Sequence, residues 1–175
     1  MAKNANHRGE SEITMLTEPR WTHVALPCSN IDRSIEFYTT ITPLVVVARN
    51  EDENGRGVWL SNEKQVETPF VLVLAEFPPA LAAQFGQTPG EPIPTLAPFA
   101  HIGIELPRRE DVDAVADRAR AVGALEWEPR QMAPHIGYIC SVRDPDGNIV
   151  EFSHDQKVFV TVRQLWGEPD GANGA

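Results

Sequence analysis

The sequence predicts an α+β fold made of two βαβββ modules, and three observations carry that prediction. An internal repeat aligns Trp21-Thr22-His23-Val24-Ala25-Leu26-Pro27 with Phe99-Ala100-His101-Ile102-Gly103-Ile104-Glu105-Leu106-Pro107; each copy has an aromatic residue two places before a His, apolar alternation and a closing Leu-Pro. The two histidines stand 78 residues apart. Each copy is followed by a segment of helical spacing and then by three extended stretches. Between the copies, residues 78–98 hold Pro78, Pro79, Pro89, Pro92, Pro94 and Pro98, a density that excludes a continuous helix or a central strand and marks a linker.

The elements follow in chain order. The segment around His23 alternates at period two and is closed by Pro27, so it reads as a strand. Ser29, Asn30 and Asp32 then offer caps to a helix whose apolar residues Ile31, Ile35 and Tyr38 share one stripe. Three extended pieces are expected near 44–49, 57–61 and 70–76. In the second copy the strand around His101 leads to Val112, Val115, Ala116, Ala119 and Val122 at three- and four-residue steps. Glu110 and Asp111 suit the positive end of that helix, and Gly123 provides its stop. Extended pieces are expected again near 124–128, 137–143 and 148–154. The implied organisation is a loose tail (1–18), a first module (19–77), the linker (78–98), a second module (99–155) and a C-terminal extension (156–175), in which 157–166 can add one strand or helix.

Composition limits what such a chain can do. At 175 residues it has room for one ordinary domain or two small units sharing a core. Hydrophobic residues at 42% and charged residues at 23% are globular values, which argue against a disordered chain. Fifteen Lys and Arg against 25 Asp and Glu give a net charge of −10, so phosphate backbones and anionic lipid surfaces are repelled. Neither nucleic acid nor a membrane is the expected partner; a small molecule in a pocket is. No apolar run reaches membrane-spanning length, and the N-terminus lacks the apolar core of a secretory signal. Cys28 and Cys140 form no Cys-x-x-Cys spacing, which fits two free thiols in the cytoplasm.

Strand parity turns this layout into a site. Val24, Leu26, Ile102, Ile104 and Leu106 form a face for the helices to cover, which leaves His23 and His101 on the other face. Asp144-Pro145-Asp146-Gly147-Asn148 is a hairpin signal; if its bulge pairs Asp144 with Asn148, Ser141 stands opposite Glu151. Glu151 is then a carboxylate among apolar strand neighbours, where an unpaired charge costs several kcal/mol, so it needs a cation or a donor. A lone strand His is as readily a satisfied core residue. Two at equivalent repeat positions, together with Glu151, make a facial triad suited to divalent iron, manganese, zinc or nickel, with positions left open for substrate. Trp59, which the repeat offset maps onto position 137, has the parity to flank a planar substrate. Phe99 and Ser141 are further candidate substrate contacts. His135, in the polar loop 131–137, is a candidate acid or base.

These residues resemble the vicinal oxygen chelate superfamily, which includes glyoxalase I, extradiol dioxygenases, fosfomycin resistance enzymes, methylmalonyl-CoA epimerase and bleomycin resistance proteins. The resemblance spans 21–155 and rests on the paired βαβββ pattern, a His near the start of each first strand, and Asp-Pro-Asp-Gly-Asn-x-x-Glu closing the second module. It implies two modules curled into an open, mixed β-barrel with helices outside. It also implies His23, His101 and Glu151 as ligands of one divalent metal, with Glu151 also serving in catalysis; because members of the superfamily pair modules within or between chains, it leaves both a single chain and a homodimer open. Glyoxalase I and the epimerase carry a fourth ligand late in the first module; the equivalent of Glu151 is Val73, and the nearby Glu76 has the wrong parity unless an insertion shifts the register. Extradiol enzymes place a Tyr where Ser141 stands, and fosfomycin enzymes surround the metal with cations, for which Arg56, Lys64, Arg130 and Arg143 are available. The implied activity is dioxygenation, isomerisation or lyase chemistry. The alternative is a metal-free binding protein of the bleomycin-resistance kind.

Overall fold

The computed structural model describes residues 22–63, 70–88, 91–93, 95–96, 100–158, 160–161 and 164. The tail 1–18, Phe99, Lys64 and most of the C-terminal extension lie outside them. Strand β1 (His23–Pro27) is followed by helix α1 (Ile31–Ile41), β2 (Leu44–Asp52), β3 (Gly55–Asn62) and β4 (Val71–Glu76). After a short helix α2 (Pro79–Ala82) the pattern recurs as β5 (Ile102–Glu105), α3 (Arg109–Ala121), β6 (Leu125–Gln131), β7 (Tyr138–Arg143) and β8 (Ile149–His154). Each module is a four-stranded mixed sheet, ordered β1-β4-β3-β2 and β5-β8-β7-β6. The first and last strands of each module run parallel and the other pairs antiparallel.

Local chemistry accounts for the elements. The Asn30 side chain accepts the Arg33 N–H at 2.9 Å and so caps α1, which buries Ile31, Ile35, Tyr38 and Ile41 along one stripe. Helix α3 buries Val112, Val115, Ala116 and Ala119, and Gly123, at φ 72°, takes the left-handed position just beyond its end. In the linker, Pro78 and Pro79 open α2 rather than break it, because the first helical positions have no hydrogen bond to lose.

Register checks the repeat directly. Ala25 pairs with Val73 in the first module and Gly103 with Glu151 in the second, which preserves the spacing of 78. The hairpins depart from it: Trp59 stands opposite Val73, as Ser141 stands opposite Glu151, so the spacing grows to 82. Trp59 therefore corresponds to Ser141 and not to position 137. The longer β6–β7 connection, which runs through Met132 and Gly137, shifts the register by an even number and leaves Trp59 on the same face.

Val58, Leu60, Leu74, Cys140, Val142, Val150 and Phe152 lie under the helices in one buried cluster that spans both modules. Full burial of each larger side chain contributes about 1.5–3 kcal/mol. Helix α1 also touches α3. Each sheet thus turns its helix-bearing side toward the other module, leaves its opposite face open, and among the described residues shares no strand pairing with its neighbour. The expected open, curved architecture is present, as two unclosed sheets.

The β7–β8 turn fastens the modules together. Asp144, 5% exposed, accepts from the Asp146 and Asn148 backbone N–H groups, from Asn148 Nδ2 and, across the interface, from Tyr38 Oη at 2.9 Å. Asp146 accepts from the Ser29 backbone and hydroxyl, and Arg33 donates to the Pro145 carbonyl at 3.1 Å. Arg118 Nη2 donates to the Ile41 carbonyl at 2.9 Å. No helix among the described residues is long and apolar enough to cross a membrane.

Two expectations follow from this packing. Tyr38→Phe removes one of four donors from a buried carboxylate and should lower stability by about 1.5–3 kcal/mol in urea unfolding, with an unchanged slope. Burial pushes the Cys28 and Cys140 thiols from 9.0 up to about 12, and nearby carboxylates add to the shift. Between those values the unfolded chain releases these protons while the folded chain keeps them, so stability should hold below about pH 9 and fall as pH rises toward 12. Native protein at pH 8 should leave both thiols unmodified by a thiol reagent until it is unfolded.

Candidate functional site

The open face of the second sheet gathers polar groups at positions set by parity. His101 sits one residue before β5, Glu151 on β8, Ser141 opposite it on β7, and Trp127 opposite Ser141 on β6. His101 Nε2 approaches Glu151 Oε2 to 3.9 Å, and the Glu151 side chain is 13% exposed. These groups wall a cavity of about 550 Å³ whose apolar sides include Met132, Ile136 and Ile149. Leu96 reaches the same cavity from the linker and is held by its N–H to Asn148 Oδ1 at 3.2 Å. The Ser141 hydroxyl is buried here and has no hydrogen-bond partner among the described residues. A buried polar atom left in this state points to a group that arrives from outside the chain.

Gln156 also lines the cavity and did not stand out in the sequence. Its Nε2 lies 3.4 Å from Glu151 Oε1, and its backbone N–H donates to Glu105 Oε1 at 3.1 Å. Asp155 turns the chain there with φ 60°. That conformation is uncommon outside Gly, although Asp and Asn tolerate it best, and no sequence pattern signals it.

The other candidates lie elsewhere. His23 is exposed on β1 of the first sheet, with Nδ1 2.9 Å from Thr22 Oγ1, and within one chain it does not join His101 and Glu151. Among the described residues no three His, Cys, Asp or Glu side chains converge on one point. Trp59 is 49% exposed on the open face of the first sheet. His135 is exposed in its loop and is absent from the cavity wall, although Met132 and Ile136 on either side reach it. Glu76 lies on the helix side, where its carboxylate accepts the Ile31 N–H at 2.9 Å and pairs with Arg56 at 3.5 Å. It caps α1 and is turned away from the open face.

Among the described residues Arg143 is the one Lys or Arg side chain in the cavity wall. Arg56 bonds Asp32, and Arg143 bonds Glu126 through Nε and Nη2 while its Nη1 donates to the Gly147 carbonyl at 3.1 Å. His101 and Glu151 supply an imidazole nitrogen and a carboxylate oxygen, the donors of a catalytic divalent site. Their separation suits one cation bound by both at about 2.0–2.2 Å. These residues fit a metal as two of its ligands, and catalytic sites commonly take a third from the protein.

Residues 20–152 match the family model described as Glyoxalase/Bleomycin resistance protein/Dioxygenase superfamily. The chain is 36% identical over 140 residues to the uncharacterized protein PA2024 of Pseudomonas aeruginosa, an alignment that covers 79% of this chain and 90% of that one. Among solved structures it is similar to the trypanothione-dependent glyoxalase I of Leishmania major (TM-score 0.61, 19% identity, 85% and 95% of the two chains). It is likewise similar to TnmS3, an antibiotic binding protein from a Streptomyces species (TM-score 0.56, 16% identity, 79% and 98% of the two chains). At these identities the two structures bear on the fold alone.

Glu76→Ala separates a capping role from a ligand role. It should lower stability by about 1 kcal/mol through loss of the α1 cap and leave metal affinity, measured by titration calorimetry, unchanged.

Proposed function

Because the chain belongs to the glyoxalase/bleomycin resistance protein/dioxygenase superfamily, we propose that it is a divalent-metal-dependent enzyme that chelates a small oxygenated substrate at His23, His101 and Glu151. The observation that carries the reading is the approach of His101 to a largely buried Glu151, beside an unpartnered Ser141 hydroxyl, in a walled cavity. Bound there, iron, manganese, zinc or nickel would polarise substrate oxygens and stabilise the anion that develops in dioxygenation, isomerisation or lyase chemistry. Ser141 would bond a substrate oxygen, and the cavity walls would exclude water. The buried free thiols fit a reducing cytoplasm.

His23 would reach this site from a second copy. Its own module turns its open face away from the cavity, and that face carries the exposed apolar side chains Val45 and Trp59. A homodimer that laid this face over the partner's cavity would cover them, provide His23 as the third ligand, and bring Trp59 above the substrate. Such a pairing would make two equivalent sites across one two-fold axis.

A competing reading, a metal-free protein that binds a small molecule, is favoured by the two-donor content of a single chain and by the apolar cavity walls. Elemental analysis decides between them. Protein purified without chelator or affinity-tag metal should carry about one metal per chain, lost in His23→Ala, His101→Ala and Glu151→Gln. Mixing refolded His23→Ala and Glu151→Gln chains should restore one site per heterodimer, which a site contained within one chain would not allow. No metal in the wild type, even after reconstitution, would leave the binding reading standing and overturn the enzyme.

A further inference from the structure

The charges around the cavity say what kind of ligand it accepts. Two carboxylates, Glu126 and Glu151, face one guanidinium, Arg143, in its wall. Arg143 has its Nε–Nη2 edge on the Glu126 carboxylate, at 3.1 Å and 2.8 Å, and its Nη1 3.1 Å from the Gly147 carbonyl, so a ligand anion would compete with Glu126 for the guanidinium. Arg130 stacks over the Trp127 ring at 4.3 Å and is not part of the wall. An anion that entered would exchange its hydration for two carboxylates and a cation already engaged, which is unfavourable in a partly buried site. In a dimer the first module's open face would add the apolar side chains Val45, Trp59 and Val73 beside His23.

An uncharged oxygen meets the opposite situation. Ser141 Oγ is buried and has no hydrogen-bond partner among the described residues, and a hydroxyl or carbonyl placed against it relieves that deficit with one hydrogen bond. Met132, Ile136, Ile139 and Ile149 provide apolar surface for the remainder of the molecule. A volume of about 550 Å³ lies within the range that holds ligands of drug-like size.

We propose that this cavity selects an uncharged ligand with an apolar, ring-sized body and a hydroxyl or carbonyl group bonded to Ser141, and that Glu126 excludes anionic ligands by engaging Arg143. The inference rests on the cavity being the binding site, as in the reading above, and describes the cavity without its metal, because a divalent cation held at Glu151 would itself attract an anion. Glu126 is a specificity residue in this account, acting through the guanidinium it holds.

Two probes of matched shape test it, biphenyl-4-ol and biphenyl-4-phosphonate, titrated into the full-length protein by calorimetry with Trp fluorescence alongside. The wild type, stripped of metal by chelator, should bind the phenol at least about tenfold more tightly than the phosphonate. Ser141→Ala should weaken the phenol about fivefold while leaving the fold as stable as before, since it removes a hydroxyl with no partner among the described residues. Glu126→Gln should raise phosphonate affinity several-fold and leave the phenol unchanged. Equal affinity for both probes in the wild type, binding of neither, or variants that shift neither affinity would overturn the proposal. Metal content of the same samples is read separately. A protein that carries no metal as purified and shows the expected phenol preference would fail the enzyme reading and keep this one, whereas one that carries metal as purified and, once stripped of it, prefers the phosphonate would do the reverse.

Discussion

The arrangement of this protein depends on a buried carboxylate, Asp144, held by four donors of which one, Tyr38, belongs to the other module. A carboxylate in such a position without partners would cost several kcal/mol, so the turn that carries it is stable only where those donors converge. Three of them come from the turn itself. The fourth makes the turn a latch, and Asp146 adds a second set of bonds to Ser29 and Ser34 at the start of α1. A motif that shapes a local hairpin therefore also sets how the modules sit relative to one another.

That orientation has a direct consequence for chemistry. With the helix-bearing sides joined in one core, the faces that carry His23 and the His101–Glu151 pair belong to different, outward-looking surfaces. A barrel closed around a site within one chain would have required those faces to meet. The modules are instead joined through their helix-bearing sides, and the open face of the first sheet is left with apolar residues toward solvent. A homodimer resolves both features with one contact, and that is why we place the third ligand in a second copy.

Much of this was legible in the sequence, and what was not has physical reasons. Period-two alternation, the aromatic-x-His repeat and the turn residues located the strands, and the pairing of Ser141 with Glu151 followed from bulge geometry at Gly147, whose φ is 100°. Parity also placed Glu76 on the helix side, where it caps α1. The equivalence of Trp59 was misread because a repeat offset measured on strands does not survive loops of unequal length. Gln156 was missed because its position depends on a left-handed Asp155 beyond the last strand. How the modules join was not legible either, since nothing in Tyr38 or Asp144 alone says that two residues 106 apart will bond.

The repeat also shows where duplicated modules diverge. The helix-side positions stay apolar in both, as Leu72 and Leu74 correspond to Val150 and Phe152 and all are buried. On the open faces the same backbone positions carry opposite chemistry: Val73 stands where Glu151 does, and Trp59 where Ser141 does. Packing constrains the first set, because each module needs a core against its helix whatever it binds. The second set is released from that constraint, so one module could become polar and ligand-bearing while the other became aromatic and apolar. Surfaces of that kind complement one another rather than themselves, which favours a face of the first module meeting a face of the second over either face meeting its own copy.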